Sequence, residues 1–153
     1  MIEFPADLQT IRKRIEKIDP EKYAATRNYA DGAVTHLSPY ISRGVISTRM
    51  VYDHLMSLDL PWHKMEKLVQ ELAWRDHWQQ TWMAKGEEIT SDLRQTQDPV
   101  SNHDIPEAIE QAHTGIQAVD QGIEMLYETG YMHNHMRMYV ASICANIANA
   151  SCS

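Results

Sequence analysis

A chain of 153 residues is long enough for one domain with a real core, and 43% hydrophobic with 23% charged residues is an ordinary globular mix, which argues against a disordered or low-complexity segment. The net charge of −7 is uneven: residues 1–50 carry eight Lys/Arg against six Asp/Glu and the rest six against fifteen, which argues against strong non-specific binding to a phosphate backbone but leaves room for a local basic rim. Two cysteines, Cys144 and Cys152, make no disulfide framework or metal spacing, no apolar signal core or run of eighteen apolar residues occurs, and a reducing cytoplasm without membrane contact is the expected compartment.

Residues 5–18 predict a surface helix with Leu8, Ile11, Ile15 and Ile18 as its apolar stripe, ended by Asp19-Pro20. Residues 20–37, with Gly32, charges and tyrosines, read as a loop. Ser38-Pro39 reads as a helix start with Ser38 as cap, and Gly44 closes that short helix. Ser47 caps the next helix, which runs to about Leu58 through Val51 and Leu55. Pro61 opens a long helix to about Lys85. Residues 86–104 are polar and irregular, and a short helix spans about residues 106–112. Thr114 and Gln117 form a capping-box pattern before a helix whose inner face is Ile116, Val119, Ile123 and Leu126. Gly130 stops it. A last helix carries Met132, Met136, Val140, Ile143 and Ile147 on one stripe, and Asn134, Arg137, Met138 and Ala141 on another. With no strand pattern, the expected fold is all-α, a helical bundle in a single domain over residues 1–153.

Three groups of residues could carry chemistry. Thr35, Leu37 and Ser38 sit where a loop enters a helix, whose free N–H groups suit a phosphate as well as they suit plain capping. On the long helix Glu71, Arg75, Trp78 and Trp82 follow one side, with Trp74 before Arg75. They read either as a surface ion pair beside core tryptophans or as a polar and aromatic binding face. Glu110 and His113 have the Glu-x-x-His spacing of di-iron bundles, but no second such motif exists, and His133 and His135 point to different helix faces, so no metal site is expected.

The run ETGYMHNHMRMYVAS at residues 128–142 resembles the flavin-pocket segment of the DNA photolyase/cryptochrome family, with Tyr131 where that pattern usually has Trp. TGIQAVDQGIEML before it, THLSPYISRGVIS at 35–47 and ELAWRDHWQQTW at 71–82 are similar to further family segments in the same order. The resemblance covers roughly residues 23 to 148 and implies part of the family's helical FAD-binding domain, without the antenna domain or the closing flavin-pocket segment. It implies FAD as cofactor, and damaged DNA carrying a cyclobutane pyrimidine dimer as partner, repaired by light-driven electron transfer. By the same resemblance Tyr23, Leu37, Ser38, Arg75, Asn134 and Arg137 face the flavin, with Tyr131 at the pocket wall, and either Val34 or Thr35 takes the first phosphate position in a loop one residue short. Glu71 matches the carboxylate that hydrogen-bonds the damaged base, Trp74 the indole on which the dimer stacks, and Asn134 and Met138 residues that face it. These residues are expected to converge on one cavity. A cryptochrome-like signalling module and a non-enzymatic helical fragment are the alternative readings; Glu71 and Trp74 favour repair over signalling. The apolar closing helix, with Tyr139, Val140, Ile143 and Ile147, predicts weak or no FAD binding by residues 1–153 alone and a homodimer through its exposed face.

Overall fold

The computed structural model describes residues 2–91, 100, 101 and 103–150; Cys152 and Pro99 lie outside them. Among the described residues the fold is all-α: α1 (Leu8–Glu16), α2 (Pro20–Thr26), α3 (Ser38–Ser42), α4 (Thr48–Ser57), α5 (Trp62–Lys85), α6 (Glu107–Glu110), α7 (Gln117–Thr129) and α8 (Asn134–Ser142). A 3-10 turn at Gly86–Thr90 follows α5, and a π-helical turn at Ile143–Ile147 follows α8. No helix among the described residues is long and apolar enough to cross a membrane. Two compact units divide the chain, Met1–Ala84 and Lys85–Ser153.

In the first unit α1, α2 and α4 each begin where a side chain can take up a free N–H. Asp7 accepts from Thr10 N at 2.8 Å, Asp19 from Lys22 N at 2.9 Å and Ser47 from Met50 N at 3.2 Å. The region expected to be a loop from residue 20 is therefore helical in its first part. Asp19 caps α2 and Pro20 occupies its first turn, where a missing N–H costs nothing. The start of α3 also differs from expectation. Ser38 is already helical, Leu37 stands at the cap position, and no side chain caps the helix.

Ile11, Ile15, Leu37, Tyr40, Ile46 and Val51 form one buried cluster, and Leu55, Met65 and Leu68 a second. Leu72 of α5 packs against both. Ile11, Leu37, Val51 and Leu55 are the largest fully buried side chains among the described residues, each worth about 1.5–3 kcal/mol of transfer energy. Leu8 is 54% exposed despite its place on the expected stripe, because it opens α1, one turn before the buried face begins.

Gly32 closes the turn after α2. An added Cβ there would meet Thr26 O at 1.9 Å and Tyr29 O at 3.0 Å, so the chain at Gly32 lies directly on the carbonyls that end the helix. Around it Ala33 N donates to Thr26 Oγ1 at 2.9 Å and Gly32 N to Tyr29 O at 3.0 Å.

The second unit is built on the α7–α8 hairpin. Gly130 takes φ 71° and returns its N–H to Leu126 O, closing α7. Ile109, Val119, Ile123 and Met132 form the core, with Leu126, Met136, Val140, Ile143 and Cys144 packed on it. Gly122 lets Met136 approach: a Cβ at Gly122 would lie 3.1 Å from its Cγ. Ile147, assigned to the buried stripe from its spacing, is 72% exposed. The π-helical turn explains this, since a wider turn carries fewer degrees per residue and moves Ile147 off the α-helical face.

Thr114 does not cap α7 either; Ile116 holds the cap position, is 49% exposed, and no side chain caps the helix. Thr114 instead donates from its N–H to Asp120 Oδ1 at 2.8 Å and from its hydroxyl to the same oxygen. These bonds hold the Asp120 carboxyl below its ordinary value of 3.8. A carboxyl lowered in the folded state stabilises the fold above its ordinary value, and loses that contribution as pH falls through the lowered one. Acid unfolding followed by circular dichroism should therefore begin at higher pH in Asp120→Asn than in the unsubstituted chain, because the variant lacks this carboxylate contribution before titration starts. Coincident acid limbs would show that the Thr114 bonds contribute nothing.

Candidate functional site

In the first unit Glu71, Trp74, Arg75, Trp78 and Trp82 stand on α5, and Leu37 and Tyr23 belong to clusters that Leu72 of α5 also joins. Glu71 does not pair with Arg75, its neighbour one turn on. Arg27 Nη1 donates to Glu71 Oε1 at 2.6 Å, with the two side chains 24% and 35% exposed. Arg27 is the residue that closes α2, and its N–H reaches back to Tyr23 O at 2.9 Å. Tyr23 packs on the Leu55–Met65–Leu68 cluster, so the ion pair ties the end of α2 to the face of α5 that carries Glu71. Sequence reasoning missed Arg27, because 44 residues separate it from its partner and the i,i+4 rule offers Arg75 first.

Arg75 is half-buried, and its Nε is buried without a hydrogen-bond partner. That is an unspent donor, since a buried N–H of this kind ordinarily finds an acceptor. Trp74, Trp78 and Trp82 are 54%, 53% and 64% exposed, so these indoles do not pack in the core. The Trp74 and Trp78 rings lie 6.5 Å apart at 24°, and His77 stands edge-on to Trp74 at 5.5 Å.

The loop into α3 is held at Thr35, whose Oγ1 accepts from Leu37 N at 3.4 Å. Leu37 is 1% exposed with its side chain in the core, so only its backbone is left to meet a ligand. Ser38 is exposed at the first turn of α3. A cavity of about 420 Å3 lies beside this loop, lined by Arg14, Lys17, Lys22, Asp19 and residues 33–36, including Thr35. Its basic side chains belong to the first fifty residues, the part of the sequence with net positive charge. A smaller cavity of about 230 Å3 between α4 and α5 holds Thr48, Arg49, Tyr52 and Asp76.

In the second unit Asn134, Arg137 and Met138 are exposed on α8, as the spacing of that face predicts. Met138 is 60% exposed and its sulfur lies 4.0 Å from the Asn134 amide, a weak contact that leaves both side chains able to turn to a ligand. Arg137 Nε donates to Met132 O at 3.2 Å, which fixes the guanidinium and leaves its other donors. Tyr131 is 6% exposed, and burial raises its hydroxyl above the ordinary value of 10.0 while the Arg137 charge opposes that rise. Tyr131 is thus a packed neighbour of this face, with a neutral phenol at physiological pH.

Residues 68–149 match the family model described as the FAD binding domain of DNA photolyase. Glu71, Trp74, Arg75, Tyr131, Asn134, Arg137 and Met138 fall inside the match; Tyr23, Thr35, Leu37 and Ser38 precede it. The chain is 31% identical over 125 residues to the deoxyribodipyrimidine photo-lyase of Alkalihalophilus pseudofirmus, covering 78% of this chain and 26% of that protein. It is 31% identical over 160 residues to the enzyme of the same name from Neurospora crassa, covering 93% and 25%. The chain therefore spans about a quarter of the length of these two relatives. A crystal structure of a bacterial class III photolyase from Agrobacterium tumefaciens superposes with a TM-score of 0.78 at 24% identity, over 94% of this chain and 31% of that one, which shows a shared fold. With more than half its residues inside the family match, the chain belongs to the family of the FAD-binding domain of DNA photolyase.

Proposed function

We propose that this chain is the core of a photolyase-like flavoprotein that serves light-driven repair of cyclobutane pyrimidine dimers in DNA, and that its two units are parts of one FAD-binding domain. The observation that carries this reading is Trp74: a large indole, more than half exposed, one turn from an anchored Glu71 and inside the matched segment. An exposed flat ring is poorly used in folding and well suited to stack on an extruded base. Glu71 supplies an acceptor for the N–H groups of that base, and Asn134 and Met138 offer an amide and an adaptable apolar contact.

The donors present fit FAD. Arg75 keeps a buried Nε without a partner, Arg137 has guanidinium donors left after Met132 O, and the start of α3 at Ser38 lacks a side-chain cap. A dinucleotide with an anionic pyrophosphate and ring carbonyls is the kind of ligand that takes such donors. When bound, FAD supplies the light-excited electron; the protein's part is to bind, orient and exclude water. Tyr23 and Leu37, both fixed by packing, hold their segments for it, and Thr35 lines the basic cavity. The cryptochrome-like reading is weaker because an exposed Trp74 and an anchored Glu71 have no use in signalling alone.

Titration of the chain with FAD, followed by flavin fluorescence, should show saturable but weak binding, because Ser38, Asn134 and Arg137 are all solvent-exposed. In the FAD-saturated state the chain should prefer dimer-bearing to undamaged DNA. Absence of both overturns the reading. Self-association through the C-terminal helix belongs to the same proposal. Tyr139 and Ile147 are exposed there while Val140 and Ile143 pack on the core, so the available face is narrower than the sequence suggests. Sedimentation of the same sample measures it, and a strictly monomeric species removes that part.

A further inference from the structure

We propose that Arg27 is a positioning residue for Glu71, holding one carboxylate oxygen so that the other stays open to substrate. This rests on the reading of Glu71 as the acceptor for the damaged base. The 2.6 Å bond from Arg27 Nη1 goes to Oε1 alone. Among the described residues the structure gives Oε2 no hydrogen-bond partner. A carboxylate on a flexible three-bond stem samples many rotamers, and one charge-assisted hydrogen bond from a second helix selects among them.

The geometry points to positioning rather than to stability. Both side chains are about a quarter to a third exposed, and such pairs add little to folding because solvent screens them and ordering two long side chains costs entropy. Arg75, one turn from Glu71 on the same helix, would be the cheaper partner, yet its Nε is left unpaired. Arg27 can reach Glu71 because α2 ends there, with the Arg27 N–H closing the last turn on Tyr23 O. The backbone that carries the guanidinium is anchored through Tyr23 in the core, so the donor is set by a rigid element.

A double-mutant cycle on the FAD-saturated full chain tests this, reading the ratio of affinities for dimer-bearing and undamaged oligonucleotides of one sequence. Arg27→Met should lower that ratio about tenfold, because a Glu71 carboxylate no longer held in place gives up its charged hydrogen bond to the base. Arg27→Lys should restore part of it. In an Glu71→Gln background, Arg27→Met should add nothing, since Arg27 acts only through the carboxylate. An unchanged ratio in Arg27→Met with a lowered one in Glu71→Gln overturns this inference and leaves the role of Glu71 standing. An unchanged ratio in Glu71→Gln, or no preference in the unsubstituted chain, removes the role of Glu71 and this inference together. A further loss in the double variant would mean that Arg27 touches DNA itself, which also overturns it. Should Arg27→Met fail to fold, Arg27→Gln takes its place in the cycle, keeping a donor on a shorter side chain but not the charge.

Discussion

Gly32→Ala lowers the melting temperature by roughly 10 °C. The added methyl would sit 1.9 Å from Thr26 O, a backbone atom that cannot rotate away as a side chain could. Either the last turn of α2 opens or residues 27–36 lift off it, and both lose the bonds from Gly32 N and Ala33 N. Overpacking of this kind costs about 3 kcal/mol, and in a chain of this size each kcal/mol moves the midpoint by roughly 2–4 °C. Gly44→Ala is the control. Gly44 takes φ 71° with nothing within 4 Å of its Cβ position, so only backbone strain opposes the change, about 1 kcal/mol. Thermal melts of the two variants separate close contact from strain, and equal shifts would show that the Gly32 contact relaxes freely.

Trp74→Ala weakens binding of dimer-bearing DNA to the FAD-saturated chain by roughly tenfold to a hundredfold, the range of about 1–3 kcal/mol for one base on one aromatic ring. Binding of undamaged DNA changes far less, because phosphate contacts are common to both. Stability should barely move, since the indole is 54% exposed and touches mainly His77 and Trp78. Titration of both DNAs against Trp74→Ala, with Trp82→Ala alongside, makes the comparison. Equal losses for the two DNAs would assign Trp74 a structural role.

Local signals were legible where one residue decides the backbone. Ser47 caps α4, Pro61 precedes α5, and Gly130 ends α7 through a left-handed turn, and each stands where the sequence places it. The errors arose where one residue serves two elements or a distant partner. Asp19-Pro20 reads as a stop after α1, but the same pair starts α2. Thr114 has the chemistry of a cap and spends it on Asp120 six residues on. Ser38 loses the cap position to Leu37. Periodicity located the stripes but not their ends, so Leu8, Ile116 and Ile147 emerge into solvent. At the candidate site, residue types and order were legible through family resemblance. The Arg27–Glu71 pair and the basic cavity at Arg14, Lys17 and Lys22 were not, because both depend on which helices meet.

All four tryptophans of the chain lie on α5: Trp62, Trp74, Trp78 and Trp82, at 53%, 54%, 53% and 64% exposure. Intrinsic emission of this protein is therefore the emission of one helix. The folded chain already glows at the long wavelengths of hydrated indole, and chemical denaturation produces little further red shift even as the cores around Leu55 and Ile123 come apart. A planar ligand settling on that helix does the opposite, drying the rings and quenching or blue-shifting them. The same four side chains thus make tryptophan fluorescence a poor gauge of unfolding here and a sensitive gauge of occupancy.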